Sequence, residues 1–214
     1  MVSGSGEGSK GEETVLLASA SPRRFELLQQ IGVQCLVITV NVVELRAAQE
    51  TAENYVKRLA LDKARAGKIA AMKSDELKDL PVIGADTTVV LEDSPLDSQV
   101  LEKPQDKKDA IKMLSLLAGR THTVMSAVAM VGGDKESVKI NKTRVTFRPI
   151  IEAEMAAYWE TGEPADKAGA YGIQGLGGVF VEKIEGSYSG VMGLPLWETC
   201  ELLSYFNVPY WYAG

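Results

Sequence analysis

The run Pro81-Val82-Ile83-Gly84-Ala85-Asp86-Thr87-Thr88-Val89-Val90-Leu91 constrains the fold more than any other stretch of the chain. It is apolar at odd and even positions alike. As a strand it must be covered on both faces, which requires the centre of a sheet with helices on either side. Asp86 breaks the pattern. A carboxylate inside such a run is either paired structurally or employed chemically, because aspartate is rarely buried without a partner. The pattern places Asp86 at the C-terminal end of the strand, where α/β sheets bind their ligands.

The segments around this run supply the other layers. Val15-Leu16-Leu17-Ala18 reads as a short buried strand. Ser21 then reads as a helix N-cap and Pro22 as the first helical residue, with Phe25, Leu27, Leu28 and Ile31 as the apolar stripe and Gly32 as the stop. Two arginines, Arg23 and Arg24, fall in the first turn, where the helix dipole disfavours cations unless an anion binds against them. They are either a solvent-screened surface pair or, with the hydroxyls of Ser19 and Ser21, a phosphate site. Cys35 to Val40 reads as a second strand leading into Asn41-Val42-Val43-Glu44. A long helix is expected from Thr51 to Met72, with Val56, Leu59, Ala60, Ala64 and Gly67 on its inward stripe. Lys63 falls on that stripe. An unpaired buried ammonium is costly, so the side chain either snorkels to the edge or reaches into a pocket.

Downstream, a turn is expected over Glu92–Asp97, followed by Val100-Leu101-Glu102-Lys103-Pro104 and a helix over Lys107–Leu117 with Ala110, Ile111, Leu114 and Leu117 inward. His122–Val131 and Ser137–Phe147 alternate as two long strands joined at Gly132-Gly133-Asp134. A helix over Glu152–Glu160, a strand over Val179–Ile184 and a final helix from Leu194-Pro195-Leu196 through Phe206 complete the pattern. Between them, Gly162 to Gly178 is dense in glycine and carries Asp166, Lys167, Tyr171 and Gln174. Glycines allow close backbone approach to a ligand, and a loop of this length and mixed polarity reads as a binding loop. It matches neither a Walker loop nor a framed GxGxxG.

Composition narrows the partners. A net charge of −6 and a pI near 5.0 argue against a general nucleic-acid binder, while a local basic pocket suits a small polyanion. Cys35 and Cys200 lack metal-ligand spacing and read as reduced core residues. His122 is the only histidine, which excludes histidine-rich zinc sites. No apolar run reaches membrane-spanning length. Residues 1–13 are rich in Gly, Ser, Glu and Lys without an apolar core, so they read as a flexible tail, not a signal peptide; residues 14–214 read as one domain. The cytoplasm is the expected location. The aromatic tail Tyr210-Trp211-Tyr212 reads as packing or as a subunit contact, as in a homodimer.

Taken together, SASPRR, GADT, LEKP, GRTHTV, GEPADKAGAYGIQGLGG and GLPL, in register from Val15 to Phe206, resemble the Maf family of nucleotide pyrophosphatases. The DKAGAYGIQG form is similar to the branch acting on dTTP and UTP. The resemblance implies an α/β fold of the Maf/inosine triphosphate pyrophosphatase type: an elongated mixed sheet flanked by helices, two lobes and a central cleft. It implies divalent-metal-dependent cleavage, with Mg²⁺ or Mn²⁺, between the α and β phosphates of a nucleoside triphosphate. Asp86 matches the family's proton acceptor. Ser19, Arg23, Arg24, Glu44, Lys63, Lys103 and Gln174 match pocket positions, and Arg23, Thr87 and Gln174 match positions associated with pyrimidine preference. Glu44 and Asp86 suit a hard cation, held directly or through water. Two other functions are open at this level: a cell-division regulatory protein that binds nucleotide with little turnover, and a hydrolase built on Ser21 and His122.

Overall fold

The computed structural model describes residues 15–94 and 97–211. The tail expected over 1–13 and Tyr212 lie outside them. In chain order the elements are β1 (Val15–Ala18), α1 (Pro22–Gln30), β2 (Cys35–Val37), α2 (Ala52–Ala71), β3 (Val82–Ser94), β4 (Asp97–Leu101), α3 (Lys107–Leu117), β5 (Thr121–Gly132), β6 (Lys135–Phe147), α4 (Glu152–Glu160), β7 (Val181–Glu185), α5 (Tyr188–Met192) and α6 (Leu196–Tyr205). Three short 3₁₀ turns, at Glu163–Asp166, Ala168–Ala170 and Leu176–Phe180, fill the glycine-dense stretch.

The strands form one seven-stranded mixed sheet in the order β2-β1-β3-β5-β6-β7, with β4 also paired to β3. β1 is parallel to both β2 and β3, and the remaining pairs are antiparallel. β3 is the central strand that its two-faced apolarity predicts. Ile83 and Ala85 pack with Leu27, Leu28, Leu202 and Leu203 on one face. Val90 packs with Ala52, Val56, Ala60 and Ala64 of α2 on the other. Farther along the strand, Val89 and Leu91 join a separate cluster with α3, α4, Phe147 and Tyr171. The long strands thus run through two packing units, one around α1 and α6 and one around α3 and α4.

The edge of β3 is interrupted between these units. β1 pairs with it only as far as Ala18 opposite Gly84, and antiparallel β4 reaches back only to Leu101 opposite Val89. Residues 85–88 therefore face an opening on that edge while β5 covers the other. Asp86 consequently sits inside a long strand, not at its C-terminal end as the apolar pattern suggests. The end that matters belongs to β1.

Helix α2 is seated directly on β3. A Cβ on Gly84 would run into the Ala60 carbonyl and come within 2.5 Å of the Ala64 amide, so only glycine permits this approach. Lys63 lies between those two α2 residues and Asp86 lies two residues beyond Gly84, so this contact also fixes how far the ammonium stands from the carboxylate. The Thr51 hydroxyl accepts from the Asn54 amide and caps α2.

Several sequence expectations differ locally. The second strand stops at Val37. Ser21 occupies the N-cap position of α1 without a side-chain capping bond, and only Leu27 and Leu28 of the expected α1 stripe are fully buried. The stripe of α3 turns Met113 inward in addition to Ala110, Leu114 and Leu117, leaving Ile111 partly exposed. α5 is an additional short helix, capped by the Ser187 hydroxyl, which accepts from the Gly190 amide, and ended by Gly193 at φ +115°. Among the described residues no helix is long and apolar enough to cross a membrane.

Candidate active site

The opening in the sheet edge is the mouth of a cleft of about 880 Å³, walled by the β1–α1 turn, α2, β3, the end of β4 and the loop after α4. That volume is within the usual range for a small-molecule site.

Asp86 lies in the wall of the cleft, 8% exposed. Because Gly84, Asp86 and Val90 share one face of β3, its carboxylate points to the α2 side. There the Lys63 ammonium donates to Asp86 Oδ1 at 2.7 Å and lies 2.6 Å from Glu44 Oε1. Lys63 reaches into the pocket, and its charge is bracketed by two carboxylates. Burial pushes the Asp86 carboxyl above the ordinary aspartate range; the charges of Lys63 and Arg24 oppose that rise. Burial acts the same way on Glu44, but the Lys63 hydrogen bond and the charges of Lys63, Lys103 and Arg24 outweigh it, and its pKa is lowered.

The arginine pair divides its work. Arg24 turns into the cleft wall, where Nε donates to the Gly193 carbonyl at 2.9 Å, Nη1 to Ser19 Oγ at 3.2 Å and Nη2 to Thr87 Oγ1 at 3.4 Å. Desolvation lowers its pKa, and the nearby charges of Asp86 and Glu44 counter that. Arg23 points instead toward the loop, with Nη2 3.7 Å from Asp166 Oδ2. The Ser19 hydroxyl also accepts from the Ser21 amide at 3.2 Å, which ties down the turn entering α1. Lys103 stands at the rim, 4.0 Å from Glu44 Oε2 and 61% exposed.

Thr87 follows strand alternation to the face opposite Asp86. Its hydroxyl is 2.8 Å from Ser126 Oγ on β5, directly across the ladder, and it accepts from Arg24. It therefore buttresses Arg24 from within the wall. Gln174 is exposed and lines the cleft from the glycine-dense loop. All of the residues singled out in the sequence, Ser19, Arg23, Arg24, Glu44, Lys63, Asp86, Thr87, Lys103 and Gln174, line this one cleft.

Tyr55 and Glu102 also line the cleft and were not singled out, and Lys167 was read only as part of the binding loop. The Tyr55 hydroxyl donates to Glu102 Oε1 at 2.9 Å and lies 3.2 Å from the Glu44 carbonyl. Its spacing from Leu59 and Lys63 along α2 placed it on the same helical face, and that spacing was the available signal. Lys167 donates to the Glu163 carbonyl at 2.6 Å and to Asp166 Oδ1 at 2.7 Å.

His122 is 2% exposed, and its Nε2 is 2.9 Å from the Tyr171 hydroxyl, with edge contacts to Phe147 and Tyr171. Burial lowers its pKa to about 4. A neutral core histidine bonded to a tyrosine is not the base of a Ser21 nucleophile, and that arrangement is absent among the described residues.

The donor set suits a hard divalent cation of one kind. Among the described residues no three His, Cys, Asp or Glu side chains converge on one point. Glu44 and Asp86 both contact the Lys63 ammonium, which brings their carboxylates close together at the cleft. Mg²⁺ is characteristically held by one or two carboxylates, with water and substrate phosphates completing its shell. Two carboxylates beside a basic cleft fit that pattern.

The family model described as Maf-like protein matches residues 14–206. The chain is 51% identical over 205 residues to the dTTP/UTP pyrophosphatase of Saccharophagus degradans, covering 95% of this chain and 94% of that protein. It is 52% identical over 194 residues to the dTTP/UTP pyrophosphatase of Escherichia coli strain K12, covering 91% and 93%. It is 51% identical over 195 residues to the Aliivibrio fischeri protein of that name, covering 91% and 99%. With a match of this extent running through every wall of the cleft, the chain belongs to the Maf-like protein family.

Proposed function

We propose that the chain hydrolyses the α–β phosphoanhydride of pyrimidine nucleoside triphosphates, dTTP and UTP foremost, to the monophosphate and pyrophosphate, as housecleaning of the nucleotide pool. The observation that carries this reading is the buried Asp86 carboxylate beside a cluster of cations in a nucleotide-sized cleft. Relatives at about half identity over nine-tenths of the chain bear the corresponding name.

The geometry supports a role for each of these residues. Arg24, held by three acceptors in the wall, presents a preorganised charge to the phosphates, and Arg23 and Lys103 add charge at the rim. Asp86 accepts a proton from the attacking water. Water oxygen joins the α-phosphorus, the bond from that phosphorus to the bridging oxygen breaks, and pyrophosphate leaves with the electron pair. Lys63 and Arg24 oppose the rise that burial imposes on the Asp86 carboxyl. Glu44 and Asp86 are the residues that would hold a divalent cation, Mg²⁺ or Mn²⁺, which supplies charge neutralisation and a lower pKa for nearby water.

A panel of nucleotides assayed with Mg²⁺, with Mn²⁺ and with EDTA tests the reading, scoring pyrophosphate against orthophosphate. Pyrophosphate release from UTP and dTTP that EDTA stops is the expected result. Orthophosphate as the first product would overturn it. Tight nucleotide binding without turnover would instead favour the regulatory binding protein.

A further inference from the structure

The glycine-dense loop is held by a single carboxylate. Glu163 Oε1 accepts from the Tyr158 hydroxyl at 2.7 Å and from the Gly177 amide at 3.0 Å, while Oε2 accepts from the Leu176 amide at 2.8 Å. The Tyr158 oxygen in turn accepts from the Gly172 amide at 3.0 Å. Tyr158 is 5% exposed on α4, so the clasp is anchored to the packed core. The loop is thereby fixed on both sides of Gln174: at Gly172 through Tyr158, and at Leu176 and Gly177 through Glu163.

The chemistry of the clasp is particular to a carboxylate. Three donors converge on two oxygens that only accept, and an amide in the same place would turn its own N–H groups toward at least one of them. The glycines of the loop match it. A Cβ on Gly175 would collide with the Glu163 carboxylate, one on Gly177 would stand 2.5 Å from the Tyr158 hydroxyl oxygen, and one on Gly172 would stand 2.7 Å from Lys167 Cε. These positions are kept bare by contacts within the loop and with Tyr158 of α4. Burial pushes the Glu163 carboxyl up, but the bonds from Gly177, Tyr158 and Leu176 and the charge of Lys167 outweigh it and hold it ionised.

Gln174 itself is exposed, and among the described residues no hydrogen bond holds its amide. Its position relative to a bound base depends on the backbone on either side. We infer that Glu163 is a positioning residue for base selectivity: by clasping Gly172, Leu176 and Gly177 it fixes Gln174 against the base edge. This rests on the pyrimidine triphosphate reading above.

The test compares kcat/KM for UTP and CTP in the unmodified protein, Glu163→Gln, Gln174→Ala and the double variant, with amide exchange followed at Leu176 and Gly177. Glu163→Gln should lower the UTP-to-CTP ratio by about tenfold, on the scale of the net worth of one hydrogen bond, and accelerate exchange at both amides. The double variant should match Gln174→Ala to within about twofold, because both changes act on one contact. Should Glu163→Gln not fold, Tyr158→Phe carries the same test with a smaller shift in the same direction. A selective unmodified protein whose ratio survives Glu163→Gln overturns the inference alone, as does a double variant whose losses multiply. An unmodified protein that cleaves UTP and CTP alike overturns the substrate reading, and the selectivity role falls with it.

Discussion

The Lys63 ammonium and the Asp86 carboxylate meet at 2.7 Å with their side chains only 13% and 11% exposed. A pair this deep is held together by more than surface attraction, and removing one member leaves the other's charge buried and uncompensated. Asp86→Asn leaves the strand its shape and removes the proposed proton acceptor. Turnover of UTP should fall at least a hundredfold, the lower end for loss of a general base, while circular dichroism keeps the folded signature and the unfolding midpoint drops, because Lys63 is left with only the Glu44 carboxylate beside it. An Asp86→Asn protein with ordinary turnover and ordinary metal dependence would take Asp86 out of the mechanism.

The basic residues are not equivalent, and their variants should separate. Arg24 is engaged by Gly193, Ser19 and Thr87 inside the wall, whereas Lys103 is 61% exposed at the rim. Arg24→Ala should cost about 2–5 kcal/mol in kcat/KM, as for a desolvated charge contact. Lys103→Ala should cost about 1 kcal/mol or less, and that cost should shrink further with added salt. Arg24→Lys should not rescue, because one ammonium cannot serve three acceptors spread along a planar fork. Steady-state kinetics at two ionic strengths checks all three, and equal losses for Arg24→Ala and Lys103→Ala would contradict the division.

His122 should govern acid stability without governing turnover. In the unfolded chain it takes up a proton below its ordinary 6.5, while in the fold burial delays this to about 4. Unfolding therefore binds a proton between those values, and stability falls as pH falls across the window. A shift of that size is worth about 3 kcal/mol. Glu50 and Glu53, each held at about 2 by ion pairs, act at lower pH, since stability from a lowered carboxylate is lost only below the carboxylate's ordinary value. His122→Gln should flatten the denaturation midpoint between pH 4 and 6.5. It should also keep metal-dependent pyrophosphate release within about tenfold, where loss of a triad histidine would cost several orders of magnitude. Loss of all turnover in a folded His122→Gln protein would point back to histidine chemistry.

What could be read from the sequence was what local pattern controls. The two-faced apolarity of Val82–Leu91 placed the central strand, and the spacing Val56, Leu59, Lys63 aimed an ammonium inward before any partner was visible. The dipole argument singled out Arg23 and Arg24, of which one is embedded in the wall and the other pairs across to the loop. The opening beside Asp86 was not legible, because it depends on where β1 and β4 each stop on the same edge of β3. The short α5 offers too few residues for a helical stripe, so only its Ser187 cap and Gly193 exit marked it. β2 ends early because the chain leaves the sheet after one further bond, from the Ile38 amide to the Leu17 carbonyl. The density of glycine from Gly172 to Gly177 suggested room for a ligand, and the structure shows much of that room taken by Glu163 and Tyr158.

Base selectivity should rest on Gln174 more than on Thr87. The Thr87 hydroxyl is already engaged with Ser126 and Arg24 on the face away from Asp86, so its replacement should act through Arg24 and lower turnover of every nucleotide. Gln174 is exposed to the cleft with an amide that carries both donor and acceptor. Uracil and thymine present two carbonyl acceptors around one N3–H donor, and an amide matches part of that edge. Cytosine reverses the character at two of those positions, and a polar site rejects a mismatched partner more sharply than an apolar one does. UTP and dTTP should therefore be cleaved well, CTP poorly and purine triphosphates worst, with little effect of the 2′-hydroxyl. Gln174→Ala should flatten this order more than it lowers turnover of the best substrate, as read from kcat/KM across the four bases. Equal kcat/KM for UTP, CTP and GTP in the unmodified protein would remove the selectivity assignment while leaving pyrophosphate release from triphosphates intact.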